Sequence, residues 1–349
     1  MLRRLEWEAV DEAAGQPILA IDLGGTQIRA AHVSPDRTIA CRRAVLTEDS
    51  EGVDSVVARL CELARSVRAD ALDQQLPNPV GIGISSPGPL DPWRGIVVAP
   101  PNLAGWRDVP LGERVERELD LPTFLERDTN VAVIAEWRFG SAVGTRCAIY
   151  VTVSTGIGGG IIVDARPLIG LDGTAGEVGH MTIDLDGPLC GDGMPGHAEA
   201  IGSGTAIARE GRALLERGGS GALASLADGA EVDAALVARA ADEGDAACAA
   251  IMERAYEAVG AMCASLVNLL NPEVIVLGGS IADKRPRLHV VARAEVDRRA
   301  FAVPARRVRI EPASFGDDVS LIGSLPIVNE RLRDAAYRQR PAISGGASG

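Results

Sequence analysis

Between residues 180 and 200 the chain reads HMTIDLDGPLCGDGMPGHAEA, a stretch holding two of its four histidines, a cysteine, three aspartates and a glutamate. A metal site, a sugar site and a polar turn all fit that composition, because imidazole, thiolate and carboxylate serve each purpose. Two glycine turns offer a second chemistry. In DLGGT (Asp22 to Thr26) the glycines Gly24 and Gly25 let the main chain approach a phosphate. There Thr26 adds a hydroxyl, and Asp22 can hold Mg2+ directly or through water. A plain hairpin turn fits the same residues. STGIGGG (Ser154 to Gly160) invites a dinucleotide reading, but that fingerprint must open a helix, and here IIV follows, a strand sequence. A phosphate-cradling hairpin fits better. A third turn, VLGGSI with Gly278 and Gly279, suits a purine or ribose ledge. Asp128, in ERDTN, stands at a strand-to-helix junction, where an aspartate is either a helix cap or a general base.

These residues need elements to hold them. ILAIDLGGTQIRAAHV reads as strand, glycine turn, strand, and AIYVTVSTGIGGGIIV repeats the pattern. SVVARLCELARSV has helical apolar spacing, and PVGIGISSPGPL is a buried strand entering a Pro/Gly loop. TFLERDTNVAVIAEWRFG predicts a strand and then a helix from about Asp128. A helical stretch over about 201 to 270 follows, then the strands EVIVLGG and RVRIEPA and a last helix near 318–338. The apolar run AYEAVGAMCASLVNLLN within it suits either core or a dimer interface. Two α/β lobes, each offering one glycine turn, are expected to clamp a ligand between them. The expected divisions are a leader at 1–16, a smaller lobe at 17–127 with the 318–338 helix packed back on it, a larger lobe at 128–317, and a disordered tail at 339–349.

Composition removes several functions. The formal net charge is −13, which repels nucleic acid and anionic membranes. Lys284 is the only lysine and lies in IADKRPR, so neither a P-loop nor a protein-kinase lysine is present. The six cysteines have no framework spacing, the N-terminus lacks a signal-peptide core, and no apolar run reaches membrane-spanning length. A soluble cytoplasmic protein is expected.

Taken together and in order, the motifs resemble the ROK family of sugar kinases, which has the actin-like, hexokinase-type ATPase fold. The resemblance runs from Ile18 to about Gly323. It rests on AIDLGGTQIRAA, GIGISSPGPLDPWRGIVVAPPNLAGW, RDTN, STGIGGG and GTAGEVGH before the loop described above. It implies an ATP-dependent, Mg2+-requiring hexose kinase, glucokinase-like, acting on the 6-hydroxyl, with Asp128 as the base. Asn102, Glu177, His180 and Glu199 would bind the sugar hydroxyls. Gly24, Gly25, Thr26, Thr155 and Gly156 would hold the phosphates, and a homodimer or dimer of dimers is implied. In the family the loop binds a structural zinc through three cysteines and a histidine. Here Asp192 and His197 stand at the second and third cysteine positions, leaving His180, Cys190, Asp192 and His197 as the implied zinc set. The other reading is a loop held by hydrogen bonds. Arg127 replaces a sugar-binding asparagine. Turned inward it would bind substrate and favour an acidic or altered sugar, whereas turned away it would not. The alternatives are a kinase for N-acetylmannosamine, N-acetylglucosamine, mannose or fructose, and a non-catalytic sugar-binding or regulatory protein. The repressors of this family carry a helix-turn-helix before the first phosphate motif, and the 16 residues before Pro17 are too few for one.

Overall fold

A computed structural model describes residues 15–335 and Tyr337; residues 1–14 of the expected leader and the tail lie outside the described residues. The chain forms two compact units. One comprises the chain up to Val143, Gly160–Ala175 and the chain from Asp317; the other comprises Gly144–Gly159 and Gly176–Gly316.

The first unit begins with β1 (Ile18–Leu23), β2 (Gln27–Val33), β3 (Ile39–Leu46) and α1 (Val53–Asp73). It continues through β4 (Ile82–Ser86), the short strands β5 (Leu90–Asp91) and β6 (Ile96–Val97), and α2 (Leu111–Leu119). β7 (Thr123–Arg127) runs directly into α3 (Asp128–Phe139). The sheet order is β3-β2-β1-β4-β7. β1, β4 and β7 are parallel, with Asp22 beside Ser85, Ser85 beside Glu126, and Ser86 beside Arg127. Three strand ends therefore finish on one edge, the edge on which parallel sheets bind ligands. β1, β4 and β7 are almost wholly buried, as expected of strands covered on both faces. α1 covers one face with Val56, Val57, Leu60, Ala64 and Val67, a helical spacing.

The second unit opens with β8 (Ala148–Val153), followed by β9 (Ile157–Val163), which carries the chain back into the first unit, where β10 (Arg166–Pro167) lies. The second sheet runs β10-β9-β8-β11-β12. The stretch expected to be helical over 201 to 270 is five helices: α4 (Ala198–Gly202), α5 (Gly204–Glu216), α6 (Gly221–Ala227), α7 (Ala234–Asp242) and α8 (Ala246–Leu270). The breaks have a local cause. Ser203, Ser220, Asp233 and Asp245 each accept the N–H three residues on and so start the next helix. Much of the apolar run in α8 is core, since Val259, Met262, Cys263 and Val267 are fully buried, while Leu269 is exposed. β11 (Val274–Gly278), α9 (Ser280–Lys284), α10 (Pro286–Arg299), α11 (Ala302–Ala305) and β12 (Arg309–Pro312) complete this unit.

α12 (Val319–Arg333) returns to the first unit and packs on β1, β4 and α3. A Cβ on Gly83 would stand 2.7 Å from Ser324 Cβ, so glycine in β4 is what lets this helix approach. The units divide at 143/144 rather than at 127/128. α3 stays with the first unit because its face is buried against α12.

Candidate functional site

In the first unit, the β1–β2 turn is held from behind. Gly24 N–H donates to Gln27 O at 3.0 Å, and Thr47 Oγ1 donates to Gly24 O at 2.6 Å. A Cβ on Gly25 would meet Asn102 O at 2.7 Å, so the loop carrying Asn102 lies directly against the turn. That loop is anchored by buried Leu103 and Trp106 and leaves Asn102 exposed. Thr26 is exposed, and Asp22 is ion-paired through Oδ2 with Arg29. Sequence reasoning missed Arg29 and Thr47, because a partner across a hairpin carries no motif of its own.

Asp128 begins α3. Its neighbours Thr123–Arg127 and Thr129–Trp137 are buried, yet Asp128 is exposed. The helix cap is Arg127, not Asp128, and Asp128 Oδ1 accepts the Thr129 N–H at 2.7 Å. One carboxylate oxygen thus meets the helix start while the residue faces solvent. The register puts it just beyond the β7 end, two strands from Asp22, or roughly 10 Å at ordinary strand spacing. Arg127 is buried, 3% exposed, and its Nη2 donates to Ala175 O at 2.5 Å and to Asn130 Oδ1 at 3.4 Å.

In the second unit, Thr155 is the exposed tip of the β8–β9 turn, and Thr205 binds its carbonyl through both N–H (3.1 Å) and Oγ1 (2.9 Å). Gly156 packs on Glu199, whose Oε2 accepts the Ile157 N–H at 2.7 Å. Glu199 is therefore joined to the glycine turn as well as to the 180–200 loop. Gly279, with φ at +91°, packs on Thr152 Oγ1, and Gly278 packs on the Tyr150 hydroxyl. Ser154 and Ser280 hydroxyls are 2.8 Å apart. A cavity of about 670 Å3 opens beside these turns, with Thr155, Thr205, Asp233, Ser280 and Lys284 in its wall. That volume accommodates a nucleoside-sized ligand.

The 180–200 loop brings His180, Cys190, Asp192 and His197 together, with one ligand atom of each lying within 4.8 Å of all the others. His180 Nδ1 is 3.0 Å from Asp192 Oδ2 and 3.3 Å from His197 Nδ1. Tetrahedral zinc with bonds of about 2.0–2.3 Å places its ligands roughly 3.3–3.8 Å apart; the donor types suit that ion, and the His180, Asp192 and His197 atoms, 3.0, 3.3 and 3.4 Å apart, lie close to that spacing. The Cys190–Met194 turn is closed by Cys190 N–H to Met194 O at 2.8 Å. Burial pushes the Cys190 thiol up, whereas the Met194 N–H, with His180 adding to it, holds the Asp192 carboxyl below its usual range. Cys190 Sγ also reaches Glu199 Oε1 at 3.7 Å. Glu177 is exposed, three residues before His180.

Two α/β units, each opening on a strand, a glycine turn and a strand, are the arrangement of the actin-like ATPase fold. The chain belongs to the ROK family, whose family model matches residues 18–331. A glucokinase of Thermotoga maritima is 31% identical over 316 residues, covering 90% of this chain and 98% of the relative. An N-acetylmannosamine kinase of Yersinia pseudotuberculosis is 32% identical over 309 residues, covering 88% and 96%. The crystal structure of a ROK family glucokinase from Streptomyces griseus in complex with glucose and AMPPNP superposes with a TM-score of 0.76 at 28% identity, covering 89% of this chain and 98% of that one.

Proposed function

We propose that the protein is an ATP-dependent hexose kinase with glucose as its leading substrate. One observation carries the reading: an exposed carboxylate, Asp128, stands among buried neighbours on the sheet edge that also ends in the Gly24–Gly25 turn. Asp128 takes the proton from the attacking sugar hydroxyl as that oxygen bonds to the γ-phosphorus and ADP leaves. Asn102, Glu177, His180 and Glu199 bind the remaining hydroxyls. A sugar presents paired donors and acceptors, and unmatched ones are costly to bury. Gly24, Gly25, Thr26, Thr155 and Gly156 hold the phosphates by main-chain and hydroxyl contacts, and Gly278 and Gly279 flank the nucleoside. Bound Mg2+ supplies charge neutralisation on the transferring phosphoryl group. Arg29 engages Asp22 Oδ2, so Asp22 Oδ1 is the oxygen suited to the metal's water shell.

His180, Cys190, Asp192 and His197 are proposed to hold a structural zinc that takes no part in the chemistry. A dimer and a cytoplasmic location complete the reading. The location is supported by six free cysteines and by the lack, among the described residues, of a helix long and apolar enough to cross a membrane. A second reading, phosphorylation of N-acetylmannosamine, is favoured by the Yersinia relative.

The test is ADP release with Mg-ATP across glucose, mannose, fructose, N-acetylglucosamine and N-acetylmannosamine. Turnover on one sugar is expected, with Asp128→Ala lowering kcat by about 10²- to 10⁴-fold while calorimetry finds sugar affinity nearly unchanged. Undiminished turnover in that variant removes Asp128 from the mechanism. A wild-type protein inert towards every sugar defeats the kinase reading.

A further inference from the structure

We propose that Arg127 is a positioning residue rather than a sugar ligand. It sits within a buried polar chain that ties α12, through the head of α3, to the loop that leads into Glu177. The chain can be followed atom by atom within the first unit. Arg331, on α12, pairs with Glu126 Oε2 and donates to Leu125 O at 2.8 Å. Glu126 Oε1 accepts the Arg127 N–H at 3.0 Å and the Asn130 amide Nδ2 at 2.9 Å. Asn130 turns its Oδ1 to Arg127 Nη2, and the same guanidinium donates to Ala175 O at 2.5 Å. Glu126, Arg127 and Asn130 are 2%, 3% and 1% exposed, so these bonds form where water does not compete.

Ala175 is restrained at both of its main-chain groups. Its N–H donates to Ile169 O at 3.1 Å, which closes the 169–175 loop, and its carbonyl takes the Arg127 guanidinium. A Cβ on Gly170 would stand 2.9 Å from Ala175 Cβ, so the loop is also packed onto itself. The stem of Arg127 lies along Gly88, where a Cβ would sit 3.0 Å from Arg127 Cδ. The stem and the Nη2 end of the head are thus committed to the protein. Glu177 follows Ala175 by two residues, so the Arg127 contact sets where the chain departs for it. A planar guanidinium can reach a carbonyl and an amide oxygen at once, which an ammonium on a lysine stem does less well.

Two measurements test this, and only the second rests on the hexose-kinase reading. In hydrogen exchange, Arg127→Gln should speed the amides of 169–176 by about tenfold, the loss of one charge-assisted hydrogen bond, with the rest of the first unit unchanged. If Arg127→Gln does not fold, Arg127→Lys decides, with an acceleration of about threefold confined to the same loop. Unchanged exchange, or acceleration spread evenly over the unit, overturns the tether. In kinetics, Arg127→Gln should raise the sugar KM by about tenfold with kcat and ATP KM held, and by the same factor for the 2-, 3- and 4-deoxy analogues. A penalty that vanishes for one deoxy sugar makes Arg127 a ligand of that hydroxyl and overturns the proposal. Should no sugar be turned over, the kinase reading fails while the exchange result still decides the tether.

Discussion

At the scale of single residues, Gly25 shows how closely the two halves of the first unit's site are joined. Its missing side chain is filled by the Asn102 main chain, so Gly25→Ala must displace the loop that carries Asn102. The expected result is a rise of roughly tenfold in KM for both ATP and sugar, because the turn and the loop move together. A change in ATP KM alone would show that the turn yields and the loop stays. The residue types in DLGGT and STGIGGG were legible because short polar groups beside glycines are unusual inside apolar strands, and ERDTN because it is a polar run between an apolar strand and an apolar helix. Whether Asp128 was a cap or a base was not legible, since both readings need an aspartate at a helix start. In the structure Asp128 is exposed and its Oδ1 accepts the Thr129 N–H at the start of α3. Glu126 and Asn130 gave no signal, because their burial depends on parts of the chain distant in sequence. Arg331 lies 205 residues from Glu126.

At the scale of elements, α12 is the piece on which the first unit's strand ends depend. It covers β1 and β4, crosses α3 beside Gly323, and sends Arg331 to the β7 end. The sequence showed a terminal helix but not that Glu330 and Arg331 are half-buried. Glu330 pairs with Arg138 of α3, and burial pushes its carboxyl up to about 7, with Arg138 the largest opposing influence. The sign follows from proton binding. Between the ordinary value of 4.5 and about 7 the folded protein holds a proton that the unfolded chain has released. The associated stability is therefore complete below 4.5 and lost as pH rises through about 7. Glu330→Gln removes that loss. The difference in melting temperature, variant minus wild type, should rise by about 3 °C between pH 5 and pH 8. A difference that stays flat or falls would mean that the Arg138 pairing outweighs burial.

At the scale of the whole molecule, the repeated strand–turn–strand pattern and the order of motifs were enough to give the fold. The caps Ser203, Ser220, Asp233 and Asp245 went unread and the region was expected as one helical stretch, because alanine-rich apolar spacing runs across them. Not legible was the physical link within the second unit between the 180–200 loop and the β8–β9 turn. Cys190 reaches Glu199 Oε1, and Glu199 Oε2 holds the Ile157 N–H behind Gly156. If zinc draws in the Cys190 sulfur with His180, Asp192 and His197, Glu199 is fixed between that loop and the β8–β9 glycine turn proposed to hold phosphate. Metal loss should then weaken donor binding as well as sugar binding, although no ligand of the zinc touches a phosphate in this reading. Purified protein should contain about one zinc per chain, and Cys190→Ser should hold less than half of that. Both ATP and sugar KM should rise in this variant by about tenfold, the scale of losing a support behind a binding group. Cys41→Ser, on the other unit, should change neither. A metal-free protein with ordinary turnover, unaffected by Cys190→Ser, would mean that hydrogen bonds alone hold the loop and that the Asp192 and His197 contacts replace the metal.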